Sequence, residues 1–460
     1  MRIYSARTWL AIAAAQILRF FLRLLGRGAT TLPGKVALLM DRRLLARLTA
    51  KQRVFLVTGT NGKTTTVRIL CTLLEANGYE IITNPSGANL GSGLATTLIN
   101  HRKLLRRRSP DDLLALVFEI DEAYFAKLAP MLNPQISVVT NLFRDQLDRF
   151  GDLQHTRDLI DKGLDSNQGK IILCADDYLC ASLAVGRENR VLFFGIADEG
   201  LQSAPEGDMR EAALCTFCGE KYHYDGVVYG HLGRFSCPRC GFSRPRPDLL
   251  FTAADLDGRT LGLELSWQGE TAATTLPIPG IHNGYNAAAA LATVLAAGLP
   301  FDRSVAALQE TQAAFGRMER FEVGDREVCM ILVKNPVGMD LALDFVASAT
   351  DRGGIMFLLN ANDSDGRDVS WIREVNFEKY LPPGLIGISG ERCRDMALRL
   401  CDAGKRSEDL LVDPDHVRLF DRLLTSCPAG QCLYILPNYT AMLSLRAELA
   451  RRYQLREFWR

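Results

Sequence analysis

Lys63 stands in the tract Val54 to Thr66, VFLVTGTNGKTTT, where glycines, a lysine and hydroxyl residues follow a short apolar run. Those types at that spacing suit phosphate. Gly59 and Gly62 leave room for backbone amides to close on phosphate oxygens, and the N-terminus of a following helix adds partial positive charge. Lys63 would neutralise the β- and γ-phosphates, and Thr64 would offer its hydroxyl to magnesium. Val57 occupies the place of the first glycine in the common G-x-x-x-x-G-K-[ST] pattern, so the loop is a shorter form, Gly59-Thr60-Asn61-Gly62-Lys63-Thr64-Thr65. The bland alternative is a turn that binds nothing, which leaves a buried lysine at a cost in desolvation.

A second grouping is Cys215-x-x-Cys218 and Cys237-x-x-Cys240, eighteen residues apart, the spacing of a four-thiolate zinc site. Gly219 and Gly241 follow the pairs and let backbone amides fold back towards sulfur. A zinc with no open coordination position holds structure and does no chemistry; an iron–sulfur centre or unmetallated thiols are the alternatives. Eight further cysteines sit singly in apolar or helical stretches, which suits a reducing cytoplasm with one metal site.

Three polar groupings remain. Glu119 and Asp121 end an apolar run from Leu113 to Ile120, where a carboxylate opposite a phosphate loop would suit magnesium. Asn141 to Asp148 follows another apolar run, and Gly280, His282, Asn283 and Asn286 open an alanine-rich helix that Asn283 could cap. The turn Asn360 to Asp368 holds Asp363, Asp365 and Asp368.

The elements that must position these groups alternate in type. Apolar runs at 54–57, 81–83, 113–120, 136–140, 171–174 and 190–194 read as strands with helices between, the phosphate-loop helix starting near Val67. After the cysteine segment, 251–267 reads as strand-like alternation. Runs at 328–333, 354–359, 385–388 and 432–436 predict a second, smaller α/β unit. The 460 residues allow two or three domains, and 54 Lys+Arg against 53 Asp+Glu argue against a protein that coats polyanions. Trp9 to Leu25 reads as an amphipathic helix and not a spanning one, because Gln16, Arg19 and Arg23 interrupt a stretch barely long enough to cross a bilayer. It either packs on the protein's own surface or rests its arginines and aromatics on an anionic membrane face.

GTNGKTTT, Glu119, NLFRDQLDRFG at 141–151, GIHNGYN at 280–286 and GRMER at 316–320 together resemble the ordered motifs of Mur ligases. The cysteine insertion, KNPVG and NDSDGRDVSW resemble the branch of that family that works with a glutamine amidotransferase. The match runs from Leu32 to Met442. The resemblance implies a helical segment at 1–50, and a Mur-ligase-like P-loop ATPase domain at 51–315 with a four-cysteine zinc ribbon inserted at about 211–247. A Rossmann-like α/β domain would follow at 316–460. It also implies ATP, Mg2+ and Zn2+ as cofactors, a GatD-type amidotransferase as partner, and lipid II as substrate, its D-glutamate carboxylate being amidated in the cytoplasm. Lys63, Thr64 and Glu119 would serve the phosphoryl transfer; His282, Asn283 and Asn286 would line the adenine side, and Arg317 would reach the phosphates. Asp368, with Asp365 as neighbouring alternative, would orient the partner's catalytic histidine. Gln146 stands where many Mur ligases carry histidine, and Lys162 lies about one residue out of register with a carbamylated lysine. Two other readings stay open. One is a ligase that adds an amino acid directly. The other is a zinc-ribbon nucleic-acid ATPase using Lys221, Arg234, Arg239, Arg244 and Arg246, against which near-neutral charge and the lack of a stacking aromatic array count.

Overall fold

A computed structural model describes residues 5–24, 31–84, 88–106, 113–144, 153–201, 214–256, 258–312, 317–381, 384–453 and 455. Strands β1 (Arg53–Thr58), β2 (Glu80–Thr83), β3 (Leu114–Glu119), β4 (Ile136–Val139), β5 (Lys170–Cys174) and β6 (Val191–Ile196) are parallel, in the order β6-β5-β4-β1-β3-β2. β1 and β3 are apolar along almost their whole length because helices cover both faces of such a sheet. Register does the positioning. Val57 pairs with Glu119 across β1–β3 and Thr58 with Val139 across β1–β4, so three strands end side by side. There they deliver the glycine loop, Glu119 and Asn141 to one edge.

The helix Lys63–Ala76 begins at Lys63, before the expected Val67, because Gly62 takes a left-handed conformation and serves as its N-cap. Against it lies the alanine-rich helix Ile281–Ala296, buried on every side from Asn283 onward. Its small side chains allow close approach to both the helix and the sheet.

β7 (His223–Tyr229) and β8 (Leu232–Ser236) form a separate antiparallel hairpin inserted after β6. The chain then returns through β9 (Leu249–Asp255), parallel to β6, and the antiparallel β10 (Leu261–Trp267) and β11 (Glu270–Leu276), completing nine strands. The exit from the hairpin is fixed by a buried cluster in which Arg244 Nε meets Asp176 Oδ1 at 2.5 Å and Tyr285 donates to Asp176 Oδ2 at 2.7 Å.

A second sheet has the order β12-β13-β17-β14-β15-β16, from β12 (Arg317–Val323), β13 (Arg326–Ile331), β14 (Arg352–Leu358), β15 (Ile386–Ser389), β16 (Leu410–Val412) and β17 (Cys432–Pro437). Its parallel core is the expected smaller α/β unit. β12, β16 and β11 carry too few apolar residues to stand out in the sequence; β12 is recruited as an antiparallel edge by its turn at Gly324.

The helix Ala6–Leu24 packs one face on the protein and leaves the other exposed. Thr8, Ala11, Ile12 and Ala15 pack inward, whereas Trp9, Leu10, Ile17, Phe20, Phe21 and Leu24 are exposed. Among the described residues no helix is long and apolar enough to cross a membrane.

Asp176→Ala leaves Arg244 buried beside the Tyr285 hydroxyl with their shared acceptor gone. It is expected to cost roughly 3–5 kcal/mol, read as a lowered denaturation midpoint in urea with unchanged slope.

Candidate functional site

The loop after β1 is fastened by the chain's own groups. Thr60 N donates to Asn141 O at 2.8 Å, Asn61 N to Asn141 Oδ1 at 2.9 Å, and Asn141 Nδ2 to Asn61 O at 3.1 Å. The Thr60 hydroxyl donates to Phe143 O at 3.1 Å and accepts from Phe143 N at 3.0 Å. At Gly62 the need for glycine is double: φ is +82°, and a Cβ there would lie 2.0 Å from Asn286 Oδ1.

Lys63 is buried, and its ammonium bonds Gly59 O, Thr60 O at 3.3 Å and Glu122 Oε2 at 3.0 Å. Burial alone would lower its pKa; the carboxylates of Glu122, Glu119 and Asp121 outweigh it and raise the pKa, so Lys63 stays a cation. Glu122 sits in the first turn of the helix Glu122–Leu132, whose N-cap is Asp121. Its ion pair with Lys63 escaped the sequence reading, which stopped at Asp121; a glutamate so close behind a strand end was the available signal.

Thr64 Oγ1 donates to Glu119 Oε2 at 2.8 Å. A hydroxyl and a carboxylate in contact beside a phosphate loop form a hard oxygen set that fits magnesium. Glu119 is held by Asn84, whose side chain accepts from Glu119 N at 3.0 Å and donates to Glu119 O at 3.1 Å. That clamp also went unread, since Asn84 opened a Gly/Ser/Asn-rich stretch with no distinguishing pattern.

Across the loop, Asn286 Nδ2 donates to Asn283 Oδ1 at 3.1 Å, and Thr66 Oγ1 donates to Asn286 Oδ1 at 3.3 Å. Asn283 does not cap its helix. Gly280 is the N-cap, at φ +91°, and Asn283 instead donates back to Pro279 O at 2.6 Å. His282, Asn283 and Asn286 border a cleft together with Asn61, Gly62, Thr65, Asn141 and Tyr229. Its far wall comes from the second sheet's side: Met318, Ile331, Lys334, Asn335 and Leu341. Asn335 Nδ2 reaches Asn61 Oδ1 at 3.0 Å, joining the two sides at the loop itself. Tyr439 also faces this edge, its phenol pKa raised by burial and then by Glu119 and Asp365.

Not every expected residue joins. Arg317 begins β12, but its side chain lies outside the described residues, as do Gly316 and Gln146. Lys162 is exposed on the helix Leu153–Asp165. Asp365 is buried and engaged: Thr440 N donates to its Oδ1 at 2.8 Å, the Thr440 hydroxyl donates to Oδ2, and Asn362 N lies 3.3 Å from Oδ2. Asp368 is exposed, with Ser370 N at 2.8 Å and Ser370 Oγ at 2.9 Å on its two oxygens, bonds that hold its pKa below the usual carboxylate value.

Away from the cleft, Cys215, Cys218, Cys237 and Cys240 bring their sulfurs within 4.8 Å of one another. Gly219 N donates to Cys215 O at 2.9 Å and Gly241 N to Cys237 O at 3.0 Å, both glycines at positive φ. Four converging soft donors fit zinc. Of the nearby arginines, Arg234 pairs with Asp198 at 3.0 Å and Arg244 with Asp176 and Asp198.

The Mur ligase middle domain profile matches residues 57–237, and the MurT ligase C-terminal profile matches residues 332–442. The chain is 32% identical to the lipid II isoglutaminyl synthase (glutamine-hydrolyzing) subunit MurT of Streptococcus pneumoniae, over 98% of this chain and 99% of that protein. It is 28% identical to the subunit of that name from Staphylococcus aureus, over 97% and 99%. Among solved structures, a pseudomurein peptide ligase type C from Methanothermus fervidus matches with a TM-score of 0.67 at 21% identity, over 89% of this chain and 81% of that one. MurF ligase from Thermotoga maritima in complex with ADP matches at 0.61 and 16% identity, over 90% and 85%.

Gly62→Ala is expected to drive Asn286 off its partners and weaken phosphate-ligand binding by about tenfold or more. Calorimetric titration with ADP measures this, with circular dichroism as the control for folding.

Proposed function

Because the chain belongs to the MurT family of Mur-ligase-like subunits, we propose that it is the ATP-dependent ligase subunit of a glutamine-dependent lipid II amidating enzyme. The observation that carries this reading is the cleft between the two sheets. Asn283 and Asn286 line it opposite Asn61 and Gly62 of the loop, and the same loop carries the cationic Lys63 and, next in the chain, Thr64 in contact with Glu119.

A carboxylate is a poor electrophile, because its negative charge repels a nucleophile and oxide is a poor leaving group. Transfer of the γ-phosphoryl of ATP to the α-carboxylate of the stem peptide's D-glutamate gives ADP and an acyl phosphate. Ammonia then attacks the acyl carbon, phosphate leaves, and the nitrogen loses a proton to give the amide. Phosphoryl transfer needs placement and charge neutralisation more than covalent help. Lys63 supplies a fixed positive charge, and the amides of the loop meet the phosphate oxygens. Thr64 and Glu119 would hold Mg2+, which would supply positive charge to offset that of the phosphates. Asn283, Asn286 and His282 would border the adenine. The four cysteines would hold Zn2+ as a structural ion.

The chain's nitrogen source is a GatD-type glutamine amidotransferase. Asp368, at the exposed end of its turn, would accept a hydrogen bond from the partner's catalytic histidine and fix its tautomer, which keeps the neighbouring cysteine nucleophilic. Asp365, already engaged by Thr440 and its own turn, is the weaker candidate.

Lipid II is held in a membrane, and the helix Ala6–Leu24 offers it a docking face. Up to Ala50 the sequence holds nine Lys and Arg residues against one acid, Asp41, itself paired with Arg47 at 2.7 Å. The Arg19 side chain bonds to Asn100 at the end of the helix Gly91–Asn100, and Phe20 and Phe21 are exposed beside it. An apolar face with a cationic surround suits anionic lipid.

With ATP, glutamine, lipid II and a GatD-type partner, the chain is expected to produce amidated lipid II by mass spectrometry. Lys63→Ala should abolish the product, and Asp368→Asn should depress glutamine hydrolysis while ADP binding stays intact; full amidation by Lys63→Ala refutes the reading. The chain should also sediment with vesicles containing phosphatidylglycerol but not with pure phosphatidylcholine, and the double change Phe20→Glu, Phe21→Glu should release it.

A further inference from the structure

The cysteine insertion does more than decorate the sheet, because its hairpin reaches the site. β7 ends at Tyr229, and Tyr229 borders the cleft beside His282, Asn283 and Asn286. Its ring lies against Phe143, with centroids 5.9 Å apart and planes at 25°, and meets the edge of Tyr285 at 5.8 Å and 90°. Two packed neighbours fix the ring's plane.

The turn after Tyr229 is fastened to the phosphate loop by a continuous run of contacts. Gly230 takes φ +57° and leaves no room for a Cβ, which would lie 2.7 Å from the Phe143 ring. His231 is buried, with Nε2 3.2 Å from Asp177 Oδ1 and its ring 4.6 Å from Phe143. Asp177 Oδ2 accepts from Leu142 N at 2.7 Å. Asn141 and Phe143, on either side of Leu142, are the residues that bond Thr60 and Asn61. At the hairpin's other end, Cys215 and Cys218 precede β7, and Cys237 and Cys240 follow β8. One end of the hairpin thus carries four thiols, and the other carries a wall of the cleft.

We propose that Tyr229 forms part of the nucleobase wall of the nucleotide site and that metal occupancy of the four thiolates holds this wall in place. The proposal rests on the reading of the cleft as a nucleotide site. An aromatic face takes any base by stacking, which yields affinity without demanding a particular hydrogen-bond pattern. The phosphate half of the site is built from the loop after β1, whose hydrogen bonds run to Asn141 and Phe143 and not to Tyr229 itself. The two halves therefore separate in experiment.

Calorimetric titration of the full chain with ADP and, separately, with tripolyphosphate tests it. Tyr229→Ala is expected to weaken ADP by about tenfold and to leave tripolyphosphate unchanged, while Tyr229→Phe restores ADP affinity. Cys240→Ser, at the exposed ligand, is expected to lower bound zinc and to weaken ADP in the same selective way. Equal ADP affinity in Tyr229→Ala and the unaltered chain overturns the wall. Zinc loss without a change in ADP affinity overturns the coupling, and loss of both ligands in Tyr229→Ala assigns the residue a general structural part and likewise overturns the wall. Failure of the unaltered chain to bind ADP sinks the nucleotide reading itself, a distinct outcome. Thermal melting identifies any variant that does not fold, and Tyr229→Phe against Tyr229→Ala then remains decisive.

Discussion

A lysine ammonium taken out of water has to be met by charge and by acceptors, and the edge of the large sheet is arranged to do both for Lys63. Glu122 supplies the charge at 3.0 Å, and two loop carbonyls supply the acceptors. Removing either partner from such a pair leaves an uncompensated ion in the interior, so each fixes the other. The conformation of the loop follows from this, since Gly59 and Thr60 must turn their carbonyls towards Lys63. The parallel register of β1 and β3 follows as well, since it brings Glu119 and the start of the Glu122 helix to the loop. The fixed charge for phosphate chemistry and the local stability of the fold are thereby the same interaction.

The two sheets contribute unequal things to the cleft. The nine-stranded side supplies the amides of Asn61, Asn141, Asn283 and Asn286 and the Thr65 hydroxyl, while the charged Lys334 comes from the other side. The six-stranded sheet supplies apolar cover from Met318, Ile331 and Leu341, with Asn335 bonded to Asn61. Most of the polar lining thus sits on one edge, and most of the apolar lining faces it from the other side. The aspartates of the turn after β14 divide the same way. Asp365 ties the turn to Thr440, and Asp368 is exposed with both oxygens bonded by Ser370.

What the sequence made legible was whatever is local. The glycine–lysine loop, the paired cysteines and the Asn283–Asn286 spacing carry their geometry within a few residues, and the structure brings them where that geometry implies. Apolar runs located the parallel strands because buried strands must be apolar on both faces. Glu122 and Tyr229 were not singled out, because each acquires its part only when distant segments meet. A glutamate one turn into a helix looks like ordinary dipole compensation until a lysine 59 residues away is found on it. Asn283 misled for the opposite reason: asparagine near a helix start suggests a cap, but Gly280 had already taken that position.

The phosphate loop is cross-bonded to Asn141 and Phe143 by groups the chain itself provides. Most of the ordering that a bound anion would otherwise have to impose is therefore completed during folding, and binding loses correspondingly less to chain entropy. Recognition at this edge is a lock with its tumblers preset. Its speed should follow the encounter, with little delay from any reshaping of the loop.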